Sequence, residues 1–161
     1  MKKFLIVTIL ISIIFSQSFK DLTERPTYYP IKIEKPIIFD GAVDNQEWSK
    51  AQIATNFNGS GTFQGQPSDL RTEARLFYDE KNIYVGFIAY VDKEDLRYSI
   101  TKRDNLDEKD DRVWINIDAF DDEALTYGIG VSAGGVQIDG RATYGFDKSL
   151  DLIYESKVSV Y

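Results

Sequence analysis

Carboxylates dominate the chemistry open to this chain, and they crowd around one short stretch. Residues 103–122 read RDNLDEKDDRVWINIDAFDD, with Asp107, Glu108, Asp110 and Asp111 ahead of an alternating segment and Asp121, Asp122 and Glu123 at its far end. Asp110 and Asp111 offer the hard oxygen ligands that calcium takes, and Arg103, Asp104 and Asp111 offer charged partners for saccharide hydroxyls. The spacing is not that of an EF-hand, because the glycine that loop needs at its turn is missing. The alternative for each acidic cluster is a solvated turn or local pairing with arginine.

Between the clusters, Trp114, Asn116 and Asp118 alternate with Val113, Ile115, Ile117 and Ala119, the period of two that marks a strand. An indole flanked by an amide and a carboxylate suits a sugar ring, whose C–H groups pack on the aromatic face while polar neighbours fix its orientation. The same indole would also serve as packing beneath a loop. Tyr98, Tyr144 and Phe146 fall in connections, where aromatic side chains either bind ligands or cover the core.

The chain has no histidine and no cysteine. That removes Ser/His and Cys/His nucleophiles, zinc sites of the usual kind and disulfides. Glycoside hydrolysis needs only two carboxyl groups about 5 to 9.5 Å apart, one with a raised pKa, but acidic residues are so abundant here that chance pairs are expected. No catalysis is predicted. A formal charge of −7 argues against a nucleic-acid partner or an anionic membrane surface, both of which are held by lysine and arginine.

The elements that must position these residues fit one domain, since 161 residues with 43% hydrophobic content support one core. Residues 1–18 read as a secretory signal: Lys2 and Lys3, an apolar run over 4–15, then Ser16 and Ser18 flanking Gln17. A membrane span needs roughly 20 apolar residues, so an uncleaved anchor is the lesser alternative. Export to the periplasm, the outer membrane or the outside follows from that reading. Residues 19–30 form a polar, extended lead, and 31–39 an opening strand or pair of strand pieces bent at Pro36.

Asp44 and Glu47 are spaced as a capping pair for one or two helical turns, with Trp48 as their anchor in the core. Residues 53–70 predict a loop with a short strand, pinned by Phe57 and Phe63. An alternating run over 72–78 and an apolar, strand-like run over 83–91 flank a four-residue turn and predict a hairpin. Its second arm is apolar on both faces, which predicts a central position, and the strand bearing Trp114 is also expected to be central. A charged connection over 92–105 has room for a helical turn near 94–98. Strands follow over 125–132 and 136–138, then a loop over 140–150 and a further strand over 152–161. Short strands with polar turns and one or two short helical turns predict an all-β, antiparallel β-sandwich of jelly-roll type.

In order, KPIIFDGAVDNQEWSKA, TEARLFYDEKNIYVGFIAYVD, RDNLDEKDDRVWINIDAFDD and GVSAGGVQIDG resemble a family 9 carbohydrate-binding module found at the N-terminus of large exported bacterial proteins. The resemblance covers residues 31–161. It implies a β-sandwich that holds glycans, sometimes with calcium, and a parent whose later region is often an outer-membrane barrel. Sugar-binding members carry a tryptophan, a glutamate and an arginine at places falling near Glu108, Trp114 and Gly130, and none of the three is kept here. The family also continues past the last residue given, so the resemblance implies a sandwich incomplete at its C-terminus.

The expectation is therefore a non-catalytic carbohydrate-binding module, with Trp114, Asn116, Arg103, Asp111 and Tyr98 at the sugar and Asp110 and Asp111 at any cation. Two alternatives stand beside it. One is a docking domain that has lost the sugar site. The other is an accessory to a glycoside hydrolase or barrel.

Overall fold

Alternating apolar and polar residues pair into seven strands in a computed structural model of the chain, which describes residues 26–43, 46–58, 65–121 and 124–161. The signal segment 1–18, most of the lead, Asp44, Phe63, Asp122 and Glu123 lie outside the described residues. The strands are β1 (Ile31–Lys32), β2 (Thr72–Tyr78), β3 (Ile83–Ala89), β4 (Arg112–Ile117), β5 (Thr126–Ser132), β6 (Gln137–Ala142) and β7 (Phe146–Asp147). They form sheets ordered β1-β2-β3 and β4-β5-β6-β7, the two layers of an all-β sandwich. All pairings are antiparallel except β1 with β2, which is parallel.

The β2–β3 hairpin closes as its sequence predicts, with Tyr78 opposite Ile83 across a turn at residues 79–82. Asp79 organises that turn. Its carboxylate accepts the amides of Lys81 and Asn82 at 2.7 Å and the Tyr84 hydroxyl at 2.7 Å. The hydrogen bond from Tyr84 is the main reason its carboxyl sits depressed at about 2.

A hydrophobic core cluster packs on the first sheet, and Val136 and Ile138 are buried at the second. Trp48 (6% exposed) and Phe77 (1% exposed) meet at 5.5 Å between ring centroids, with Ala51 buried beside them and Ile33, Ile37, Val43 and Tyr84 packed around. Gly86 makes room for this arrangement, because a Cβ there would press on Val43 and the Trp48 ring. Trp48 opens a single 3-10 turn, Trp48–Lys50. Asp44, one half of the capping pair expected there, lies outside the described residues. Glu47 makes no side-chain cap and its carboxylate instead accepts the Ile38 amide at 3.0 Å, tying the turn to the opening segment.

Several expectations need correction. The opening strand is only two residues long. β3 and β4 each pair with one neighbour among the described residues and so lie at sheet edges rather than centrally. Two apolar faces signal burial from above and below, not a partner on each side. The connection 92–105 holds a turn slightly earlier than expected, closed by the Leu96 amide on the Asp92 carbonyl at 3.1 Å. Residues 140–147, read as loop, contain the end of β6 and all of β7.

Residues 152–161 form no ladder. Burial alternates over 151–156, with Leu152, Tyr154 and Ser156 half-buried and Asp151, Ile153 and Glu155 exposed, so the period-two pattern is real there, while 157–161 are exposed throughout. What is missing among the described residues is a backbone partner. Side chains of β6 hold the segment instead.

Candidate carbohydrate-binding site

Register decides which residues share a face in the second sheet. Trp114 stands opposite Gly130, which stands opposite Ile138, and Asn116 stands opposite Gly128, which stands opposite Gly140. One face therefore carries Trp114, Asn116, Ile138 and three glycines. Val113, Ile115, Ile117, Ile129 and Val131 occupy the other.

The glycines set the geometry of the indole. A Cβ on Gly128 would overlap the ring at Cζ2 and one on Gly130 would overlap it at Cε3, so Trp114 lies down on the β5 backbone along its whole length. Its Nε1 donates to Asn116 Oδ1 at 2.8 Å, which fixes the ring's orientation in its own plane. Phe146 of β7 meets it edge-on at 5.3 Å and 64°, and the Phe146 ring in turn lies over Gly140. Phe146 is 41% exposed and Tyr144, on the adjoining turn, is fully exposed.

β7 is held in place by the Arg141–Asp147 pair at 3.1 Å. Hydrogen bonds from Ser149, with help from Arg141, keep the Asp147 carboxyl below its ordinary range. The result is a half-buried aromatic surface with an exposed amide at its edge, a shape that takes the C–H face of a pyranose and hydrogen-bonds one of its hydroxyls.

Asp111, Asp110 and Tyr98 stand elsewhere, where β4 begins. Asp111 and Arg97 exchange bonds, the Asp111 amide donating to the Arg97 carbonyl and the Arg97 amide to Asp111 Oδ2, both at 2.8 Å. Asp110 is buried, and its Oδ2 accepts the Ser99 hydroxyl and the Asp107 amide. These two carboxylates fasten the charged connection to the sheet. Tyr98, half-exposed, packs against Gly134 in the β5–β6 turn.

Arg103 belongs to a third cluster. Its guanidinium donates to the fully buried carboxylate of Asp139, to Gln137 Oε1 at 3.1 Å and to the Leu152 carbonyl at 2.7 Å, and it lies 5.2 Å from the Tyr154 ring centroid. Asp104, at a positive φ of 63° that aspartate tolerates, aims both its amide and its carboxylate at the β6 edge. The amide reaches the Gln137 carbonyl and the carboxylate accepts the Asp139 amide, each at 3.0 Å.

Asp104, Asp139 and Asp151 are the acidic group among the described residues whose oxygens converge enough to hold a metal ion. They do not fit calcium. Arg103 reaches all three, pairing with Asp139 and standing 3.7 Å from Asp104 and 3.8 Å from Asp151, and so already supplies the positive charge a cation would bring. The Asp139 oxygens are further engaged by the Leu152 amide.

Of the five residues read from the sequence as sugar contacts, the structure brings Trp114 and Asn116 together and sets Arg103, Asp111 and Tyr98 apart from them. Phe146, Gly128 and Gly130 complete the aromatic surface. The Gly-x-Gly spacing of 128 and 130 was the available signal, because only a large side chain on the neighbouring strand explains two missing side chains on one face.

A family model described as carbohydrate family 9 binding domain-like matches residues 38–160. No curated protein and no solved structure matches the chain.

Proposed function

Because the chain belongs to the carbohydrate family 9 binding domain-like family, we propose that it holds a glycan on the surface formed by Trp114, Asn116 and Phe146, as a non-catalytic module of an exported bacterial cell-envelope protein. The observation that carries this reading is the indole laid flat on Gly128 and Gly130 with its nitrogen tied to Asn116. Such a ring is preorganised, so little side-chain entropy is lost when a sugar stacks on it. Lys2, Lys3 and the apolar run over 4–15 support export. A β-barrel or a hydrolase elsewhere in the parent protein would give the module its anchor or its enzyme.

A docking role without sugar is favoured by one observation. Phe146 meets the Trp114 ring in a T-shaped contact, so part of the indole is already covered by protein. A glycan array followed by affinity electrophoresis separates the two readings. Retention on at least one glycan, weakened at least tenfold by Trp114→Ala, is expected of a sugar-binding module. Failure to be retained by any glycan would leave docking as the function.

A further inference from the structure

The segment over residues 152–156 touches β6 through side chains alone, yet it reaches the strand on which Trp114 rests. Its Leu152 amide donates to Asp139, and Gln137 Nε2 donates to the Tyr154 carbonyl and the Ser156 hydroxyl, each at 3.1 Å. The Tyr154 hydroxyl is shared between the carbonyls of Gly130, at 2.8 Å, and Ile138, at 3.1 Å. Gly130 is the residue whose bare Cα accommodates the Trp114 ring. One peptide unit thus bears the indole through its missing side chain and the strap through its carbonyl.

We infer that residues 152–156 form a strap that sets the position of the Trp114 ring through Gly130, with Tyr154 as a positioning residue of the glycan site. This rests on the reading of Trp114 as that site. β5 is paired on both sides, with β4 and with β6, but at Gly128 and Gly130 it has no side chain of its own to stiffen it. The hydrogen bond from the Tyr154 hydroxyl to the Gly130 carbonyl adds a side-chain restraint there. The strap itself is held at both ends, by Asp139 and Arg103 near Leu152 and by Gln137 near Ser156, so the hydroxyl is delivered from a rigid base. Arg103 beside the Tyr154 ring fixes the ring's direction.

The chain has two tryptophans. Incorporating 5-fluorotryptophan gives one fluorine signal for Trp114 and one for Trp48, assigned with Trp114→Phe, and Trp48 serves as an internal control on folding. Tyr154→Phe keeps the ring and removes only the hydroxyl. The Trp114 signal is expected to shift or broaden while the Trp48 signal stays in place, and Gln137→Ala, which loosens the strap from its other end, should move the Trp114 signal in the same direction. Glycan affinity should fall by about three- to tenfold in Tyr154→Phe, the range a single hydrogen bond accounts for. An unchanged Trp114 signal in Tyr154→Phe overturns the inference, as does an equal change in both signals. Because the fluorine readout needs no sugar, absence of glycan binding would overturn the proposed function while leaving the strap to be judged separately.

Discussion

Trp114 lies on Gly130 so closely that a single methyl group on the glycine would displace the ring. The same device appears in the other sheet, where Gly86 makes room for Trp48. The two rings differ in what covers them. Trp48 is enclosed by Ala51, Phe77 and Val43 and belongs to the core, whereas Trp114 keeps an exposed amide and a half-exposed phenyl ring as neighbours.

Gly130→Ala should therefore lift the indole from β5. Forcing a methyl group into a filled contact costs about 1–3 kcal/mol, and glycan retention should disappear with the lost geometry. Thermal unfolding and affinity electrophoresis on the same sample check both. Retention equal to the parent would show that the ring's seat on Gly130 is irrelevant to binding.

Asn116→Asp keeps an acceptor for the indole nitrogen, while Asn116→Leu removes it. At this exposed position Asn116→Asp should change stability by less than about 0.5 kcal/mol, whereas Asn116→Leu should lose about 0.5–1.5 kcal/mol with the hydrogen bond. Binding should survive better in the aspartate variant. Calorimetric titration with a retained glycan measures the difference, and equal losses in the two variants would mean that Asn116 does not orient the ring.

Asp139→Asn tests the buried node. Asp139 is 0% exposed and answers the Arg103 charge, so its removal leaves a guanidinium without its main partner. Arg103 remains 34% exposed along its side chain, which places the expected loss at about 2–3 kcal/mol, below the about 3–5 kcal/mol of a fully buried pair. Urea unfolding measures it. A loss under about 1 kcal/mol would show that water replaces the carboxylate without difficulty.

Two groups give the stability a pH dependence of opposite sign. Asp79 has a folded pKa depressed to about 2, so its contribution is present above the ordinary carboxylate range and is lost as pH falls through about 2. Tyr84→Phe should raise the Asp79 titration midpoint, as read by NMR. Tyr154 is pushed up to about 12, first by burial and then by the Asp139 charge, so its contribution is present below about 10 and is lost as pH rises through about 12. Stability should therefore fall between pH 10 and 12, and less steeply in Tyr154→Phe. Parallel curves for the two proteins would show that Tyr154 is not the group responsible.

The sequence made the sheets legible where alternation was unbroken, as in β2 and β4, and through the apolar run of β3, and it identified Trp48 as a core anchor from its place beside Glu47. It misplaced the elements whose cohesion comes from side chains. Residues 152–156 alternate like a strand but bond through Asp139, Gln137 and Tyr154, and no local pattern distinguishes that from a ladder. Trp114 and Asn116 were legible as neighbours because period two puts them on one face. Asp139 was not, because its partners Arg103 and Leu152 lie 36 and 13 residues away.

The most direct test of the account follows the Trp114 indole Nε1 proton by NMR while a retained glycan is titrated in. The Trp114 signal is predicted to move with the binding curve and the Trp48 signal to stay fixed. Saturable glycan binding that leaves the Trp114 signal unmoved would contradict the assignment of this surface as the sugar site.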